Sequence, residues 1–116
     1  MTDSPAPRHP DSPRHRRIPT KVCADLYWEG AEGRTSFARA DCLDISEGGV
    51  RLRLPGGGLK RGVSVHVRIE AFGFAEFGIV RYAHAHGIVG VELRLESAAQ
   101  EQIERWQKIV RSAQNK

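Results

Sequence analysis

Two cysteines, one methionine and no long apolar run set the first limits on what this chain can be. A disulfide scaffold needs more than Cys23 and Cys42. Each of them falls in an apolar or alternating stretch, where a reduced, buried thiol is the ordinary state. A membrane-spanning helix needs about 20 consecutive apolar residues, so no membrane insertion is expected. The first twenty residues are rich in Pro, His and Arg and contain no apolar stretch fit for a secretory signal, so the expected location is the cytoplasm. Catalytic sets are missing as well. No Ser/His/Asp or Cys/His constellation stands in a recognisable context, and no carboxylate pair is flanked by apolar residues as general acid–base chemistry requires. An enzyme is not expected.

What is present is enough for one folded domain. The chain has 116 residues, 40% of them hydrophobic and 28% charged, and a domain of this size buries roughly two-thirds of the surface its unfolded chain exposes. Lys and Arg number 18 against 14 Asp and Glu, a formal net charge of +4, which favours an anionic partner without choosing one.

Charge and structure are unevenly spread. Residues 1–17 hold Pro5, Pro7, Pro10 and Pro13 together with Arg8, Arg14, Arg16 and Arg17, and this composition predicts a flexible basic arm before a single domain over 18–116. From Ile18 onward apolar residues recur with period two. Val63, Val65, Val67 and Ile69 alternate with Ser64, His66, Arg68 and Glu70. Val50, Leu52 and Leu54 alternate with Arg51 and Arg53, and Val89, Val91, Leu93 and Leu95 with Gly90, Glu92 and Arg94. Further strands read at about Lys21–Trp28, Thr35–Leu43 and Phe74–Tyr82, divided by Gly- and Pro-bearing turns. Six short strands with no helix between them predict an all-β fold, an antiparallel meander or small barrel, and exclude βαβ units. One helix closes the chain at about 97–113. Ser97 and Gln100 have the spacing of a capping box, and Ile103, Trp106, Ile109 and Val110 form an apolar stripe, fit either to cover the barrel or to bind a partner.

The most informative segment runs from Asp41 to Leu52, DCLDISEGGVRL. Asp44 and Ser46, two apart, project to the same side of an extended backbone. Gly48 and Gly49 are expected to turn the chain through positive φ before the next strand. On these residues alone, a side-chain-capped turn between two strands and a ligand site both remain open. Two other motifs read as ordinary connections: His84-Ala85-His86 as a polar turn, and the glycine-rich Pro55–Gly62, which lacks the order of a phosphate loop, as a wide hairpin.

Taken together, the arginines from Arg14 to Arg17, the Asp-x-Ser-x-x-Gly run Asp44-Ile45-Ser46-Glu47-Gly48-Gly49, and Gly87-Ile88-Val89-Gly90-Val91-Glu92-Leu93 resemble the PilZ domain family. The resemblance extends from Arg14 to the final helix. It implies a six-stranded antiparallel β-barrel with a C-terminal helix, and a non-enzymatic receptor that needs no cofactor, binds the bacterial second messenger cyclic di-GMP and relays the signal to a protein partner. The family's arginine motif is Arg-x-x-x-Arg directly before the first strand. Here Arg14 and Arg17 make Arg-x-x-Arg, one residue short, with Arg16 as a substitute. The ligand-binding residues implied are Arg14, Arg16, Arg17, Asp44, Ser46, Gly48 and Gly49.

The chemistry of the ligand suits these residue types. Guanine offers O6 and N7 as paired acceptors for an arginine fork, and a guanidinium also stacks on a purine face. A carboxylate accepts from the guanine N1–H and exocyclic amine, donors that adenine does not pair in this way, and a serine hydroxyl serves either sense. Asp44 is thereby expected to give specificity and the arginines affinity. The shortened arginine motif keeps a second reading open, a PilZ-like protein interaction domain without nucleotide affinity. A third, a small basic barrel for RNA or DNA, is not expected, because it needs exposed aromatics on a basic strand face and Phe72, Phe74 and Phe77 read as core.

Overall fold

The alternating segments all form strands. In a computed structural model that describes residues 16–114, β1 is Ile18–Glu29, β2 Thr35–Ser46, β3 Gly49–Arg53, β4 Ser64–Ile69, β5 Phe74–Ala83 and β6 Ile88–Leu93, followed by α1 at Gln100–Gln114. The expected arm, Arg14 included, lies outside the described residues except for Arg16 and Arg17. The strands close into a barrel in the order β1-β2-β3-β6-β5-β4, and every neighbouring pair is antiparallel. This is the expected six-stranded barrel with one C-terminal helix. Among the described residues, no helix is long and apolar enough to cross a membrane.

The order is that of two three-stranded meanders locked together, β4 against β1 and β6 against β3, not one continuous meander. Pro55–Gly62 is therefore not the wide hairpin its glycines suggest. Both edges of β3 are taken, by β2 and β6, so the segment after it must cross to the far meander. On the way it inserts Leu59, 5% exposed, into the core.

Alternation fills the barrel as its pattern dictates. Val50, Leu52, Leu54, Val65, Val67, Ile69, Val89, Val91 and Leu93 are all buried, each fully buried side chain of this kind contributing about 1.5–3 kcal/mol. The two cysteines separate. Cys42 is buried, which pushes its thiol above its ordinary pKa. Cys23, expected to be buried as well, is exposed, because it stands opposite Asp41 in the register and so one position out of phase with Cys42. The phenylalanines separate for the same reason. Phe74 is core, at 2% exposure, Phe72 packs against the core, and Phe77, expected inside, is 56% exposed. Three residues is an odd interval, so on one strand Phe74 and Phe77 face opposite sides.

The helix starts later than its capping box suggests. Ser97 belongs to a separate single turn, Leu95–Ser97, and the Ala99 carbonyl accepts the first helical bonds, from the Gln102 and Ile103 amides. The apolar stripe docks on its own barrel. Trp106 and Val110 are buried, Ile109 and Ala113 pack beside them, and the Trp106 ring lies 4.7 Å from that of Phe74.

Candidate ligand-binding site

A bulge builds the site. Cys42 pairs with Leu52 inside the barrel, the register then slips, and Asp44 pairs with Arg51 and Ile45 with Val50. Ile45 and Val50 are 0% and 2% exposed. The extra residue at Leu43 therefore keeps Ile45 in the core and turns Asp44 and Ser46 to the outer face, as bulges re-aim side chains beside functional sites. Both lie within β2 itself, not in the turn after it. On the other flank Pro19 of β1 stands opposite Asp44, and Arg17, two residues earlier, shares its face.

Although it faces outward, the Asp44 side chain is only 4% exposed, because two arginines close over it. Arg17 Nη1 donates to Asp44 Oδ1 at 3.2 Å, and Arg51 Nη2 contacts Oδ2 at 2.6 Å. A carboxylate so withdrawn from water is tolerable only when paired. Two guanidiniums on one carboxylate leave a local charge of +1, and their side chains are 26% and 41% exposed. Arg51 Nε is buried and has no hydrogen-bond partner among the described residues, which leaves a desolvated donor. The cluster thus offers fixed guanidinium donors to an anion and holds a carboxylate behind them for a ligand bearing N–H groups.

Ser46 is buried at 8% exposure and its hydroxyl reaches the Gly49 carbonyl at 3.5 Å. Its own carbonyl accepts from Trp106 Nε1 at 3.1 Å, and the Glu47 carbonyl accepts from the same N–H at 3.2 Å. The turn that carries the motif is thereby fastened to α1. Gly48 and Gly49 do not adopt the left-handed backbone expected of them. Gly49 is required for space instead, since a Cβ there would come within 2.1 Å of the Val91 carbonyl oxygen. Gly90, which continues the Asp44–Arg51 row onto β6, is likewise a close approach, with the Tyr82 ring 2.2 Å from where its Cβ would be.

Of the residues singled out from sequence, Arg17, Asp44, Ser46, Gly48 and Gly49 come together at this end of β2. Arg16 is exposed and, among the described residues, takes no part in the ion pairs; Arg14 lies outside them. Arg51 and Trp106 were not singled out for the site. Arg51 was readable by hairpin arithmetic, since a two-residue turn at Glu47-Gly48 puts residue 44 across from residue 51. Trp106 joins from sixty residues away, with no local signal.

No curated protein matches the chain. The family model described as the PilZ domain matches residues 11–107.

Proposed function

The chain belongs to the PilZ domain family, and from that premise we propose that it is a non-enzymatic receptor for cyclic di-GMP that passes the binding event to a protein partner. The observation that carries this reading is the position of Asp44, from the Asp-x-Ser-x-x-Gly run, between Arg17 at the mouth of β1 and Arg51 on β3. Binding is then an exchange. The ligand's phosphodiesters and guanine O6 and N7 draw the guanidiniums off Asp44, and the freed carboxylate takes the guanine N1–H and amine. Charge-assisted bonds are made for those broken, so the ligand's net gain comes from paired contacts to the planar forks of Arg17 and Arg51, from stacking and from the arginines of the arm, Arg14 and Arg16. Gly48 and Gly49 keep the turn close to the barrel. Because Trp106 donates to the Ser46 and Glu47 carbonyls, a shift of that turn is transmitted to α1, the element that would carry the signal to a partner.

The rival reading, an interaction domain without nucleotide affinity, draws on the shortened arginine motif and on Asp44 being already doubly paired. Calorimetry with cyclic di-GMP and GTP in parallel separates the two. The receptor reading expects saturable heat with cyclic di-GMP and weaker binding of GTP. It also expects Asp44→Ala to weaken cyclic di-GMP by about 1–3 kcal/mol, roughly 5- to 150-fold in Kd, with circular dichroism unchanged. No heat from the folded wild-type chain would promote the interaction domain.

A further inference from the structure

The opposite end of β1 and β2 carries a feature the nucleotide reading does not use. Phe37 of β2 pairs with Tyr27 of β1, Tyr27 with His66 of β4, and His66 with Phe77 of β5. Four rings from four adjacent strands therefore stand side by side on the outer face of the barrel. Their centroids are separated by 5.0, 6.2 and 4.8 Å, with planes tilted by 47°, 55° and 68°, so the inner rings of Tyr27 and His66 pack against the end rings of Phe37 and Phe77. Phe37 and Phe77, at the two ends of the row, are both 56% exposed and are the exposed large hydrophobics of the barrel. With strands about 4.8 Å apart, the row spans about 14 Å.

The adjacent row, two residues along each strand, is Arg39, Asp25 and Arg68. Arg39 is bound to Asp25 at 3.1 Å, which consumes the one acid of that row. Arg68 is exposed and, among the described residues, has no ion pair. A line of rings thus runs beside a row with two exposed arginines, Arg39 and Arg68, set against Asp25, with Glu70 also close to Arg39. Phe37 stands seven residues before Asp44, about 23 Å along an extended strand, so this surface is separate from the cluster around Asp44.

We propose that this row is a binding platform for single-stranded nucleic acid, the bases stacking on the exposed rings of Phe37 and Phe77, with Tyr27 and His66 as the floor between them, while the phosphates run along the exposed Arg39 and Arg68. Every base has a π-face, so stacking of this kind recognises unpaired bases with little regard to sequence, and arginines beside the rings supply the backbone charge. The rings sit on paired strands of a closed barrel, so little conformational freedom is lost on binding. A protein partner fits less well. The row is one side chain deep, short of the roughly 800 Å² per partner of a standard stable interface, and a closed barrel offers no free sheet edge for strand addition. The ground on which the sequence argued against nucleic acid, the lack of exposed aromatics on a strand face, does not hold in the structure. The inference does not rest on cyclic di-GMP binding.

Fluorescence anisotropy tests it, using the full chain with an end-labelled mixed-sequence octamer as RNA, as DNA and as the corresponding duplexes. Both single strands should bind at low salt, and the duplexes at least tenfold more weakly, because their bases are already stacked. Phe37→Ala combined with Phe77→Ala should weaken the single strands at least tenfold. Both side chains are exposed, so the double variant should keep the wild-type circular dichroism spectrum and its calorimetric response to cyclic di-GMP. Arg68→Ala should make the dependence of log affinity on log salt shallower by about one unit or less. Equal binding of single strand and duplex, or equal binding by the double variant, would overturn the proposal and leave only the basic arm's charge. A wild-type dimer that dissociates in the double variant, seen by sedimentation without oligonucleotide binding, would also overturn it and assign the row to a second copy of the chain.

Discussion

Replacing Trp106 with alanine should lower the unfolding free energy by about 3–5 kcal/mol, the range for emptying a buried aromatic site. Trp106 is 0% exposed, so the substitution forfeits the whole burial of the indole and leaves a cavity against Phe74. It also removes the N–H shared by the Ser46 and Glu47 carbonyls. Urea unfolding followed by circular dichroism measures the loss. Trp106→Phe should recover part of the packing but not the two hydrogen bonds. If those bonds hold the Asp44 turn in place, cyclic di-GMP should bind Trp106→Phe more weakly than wild type at a temperature where both are folded. A stability loss below about 1 kcal/mol for Trp106→Ala would mean that α1 is an appendage of the barrel and no route for the signal.

The second large effect is expected at Arg17. Arg17→Ala should weaken cyclic di-GMP binding by about 1.5–3 kcal/mol, the range for hydrogen bonds to a charged group, since the Arg17 side chain is partly exposed. It removes a guanidinium from the ligand and also leaves Asp44 with Arg51 alone. Arg17→Lys keeps the charge but not the planar fork, and should fall between wild type and Arg17→Ala. Arg8→Ala, outside the motif, should leave affinity within twofold. Because the contacts are ionic and partly exposed, wild-type affinity should fall as salt rises, and the fall should be shallower in Arg17→Ala. Calorimetry at two ionic strengths reads all of these. Arg17→Ala binding as tightly as wild type would remove Arg17 from the site.

How much of this was written in the sequence depends on the range over which each feature is decided. The inward residues of β3, β4 and β6 were legible because period-two alternation is a local property, and Val50, Leu52, Val65, Val67, Val89 and Val91 are where it puts them. The pairing order was not legible, since nothing within Pro55–Gly62 tells that both edges of β3 are taken by β2 and β6. Phase within a strand was lost in two ways. Composition groups Phe77 with Phe74 although their odd spacing sets them on opposite faces, and the bulge at Leu43 reverses the phase of Asp44 relative to Cys42 without any glycine to announce it. At the site itself, the Asp-x-Ser-x-x-Gly run drew attention to the right turn. It gave a backbone reason for Gly49 where the structure gives a steric one. The ion partner Arg51 stands outside the motif and goes unnoticed there, although hairpin register alone sets it across from Asp44, while the Trp106 N–H, brought back by the C-terminal helix, is a tertiary fact that no window of sequence contains.

Cyclic di-GMP is expected to enter between Arg17, Asp44 and Arg51 and to move the turn that Trp106 holds. An amide and indole NMR titration of the full chain with cyclic di-GMP tests this most directly. Large, saturable shifts are expected at Arg16 and Arg17, at Asp44–Gly49, at Arg51 and at the Trp106 indole N–H, while Phe37 and Phe77 at the other end of the barrel stay still. Spectra unchanged at Arg17, at Asp44–Gly49 and at the Trp106 indole with cyclic di-GMP in large excess would contradict it, and would leave the domain as one that contacts its partner without nucleotide.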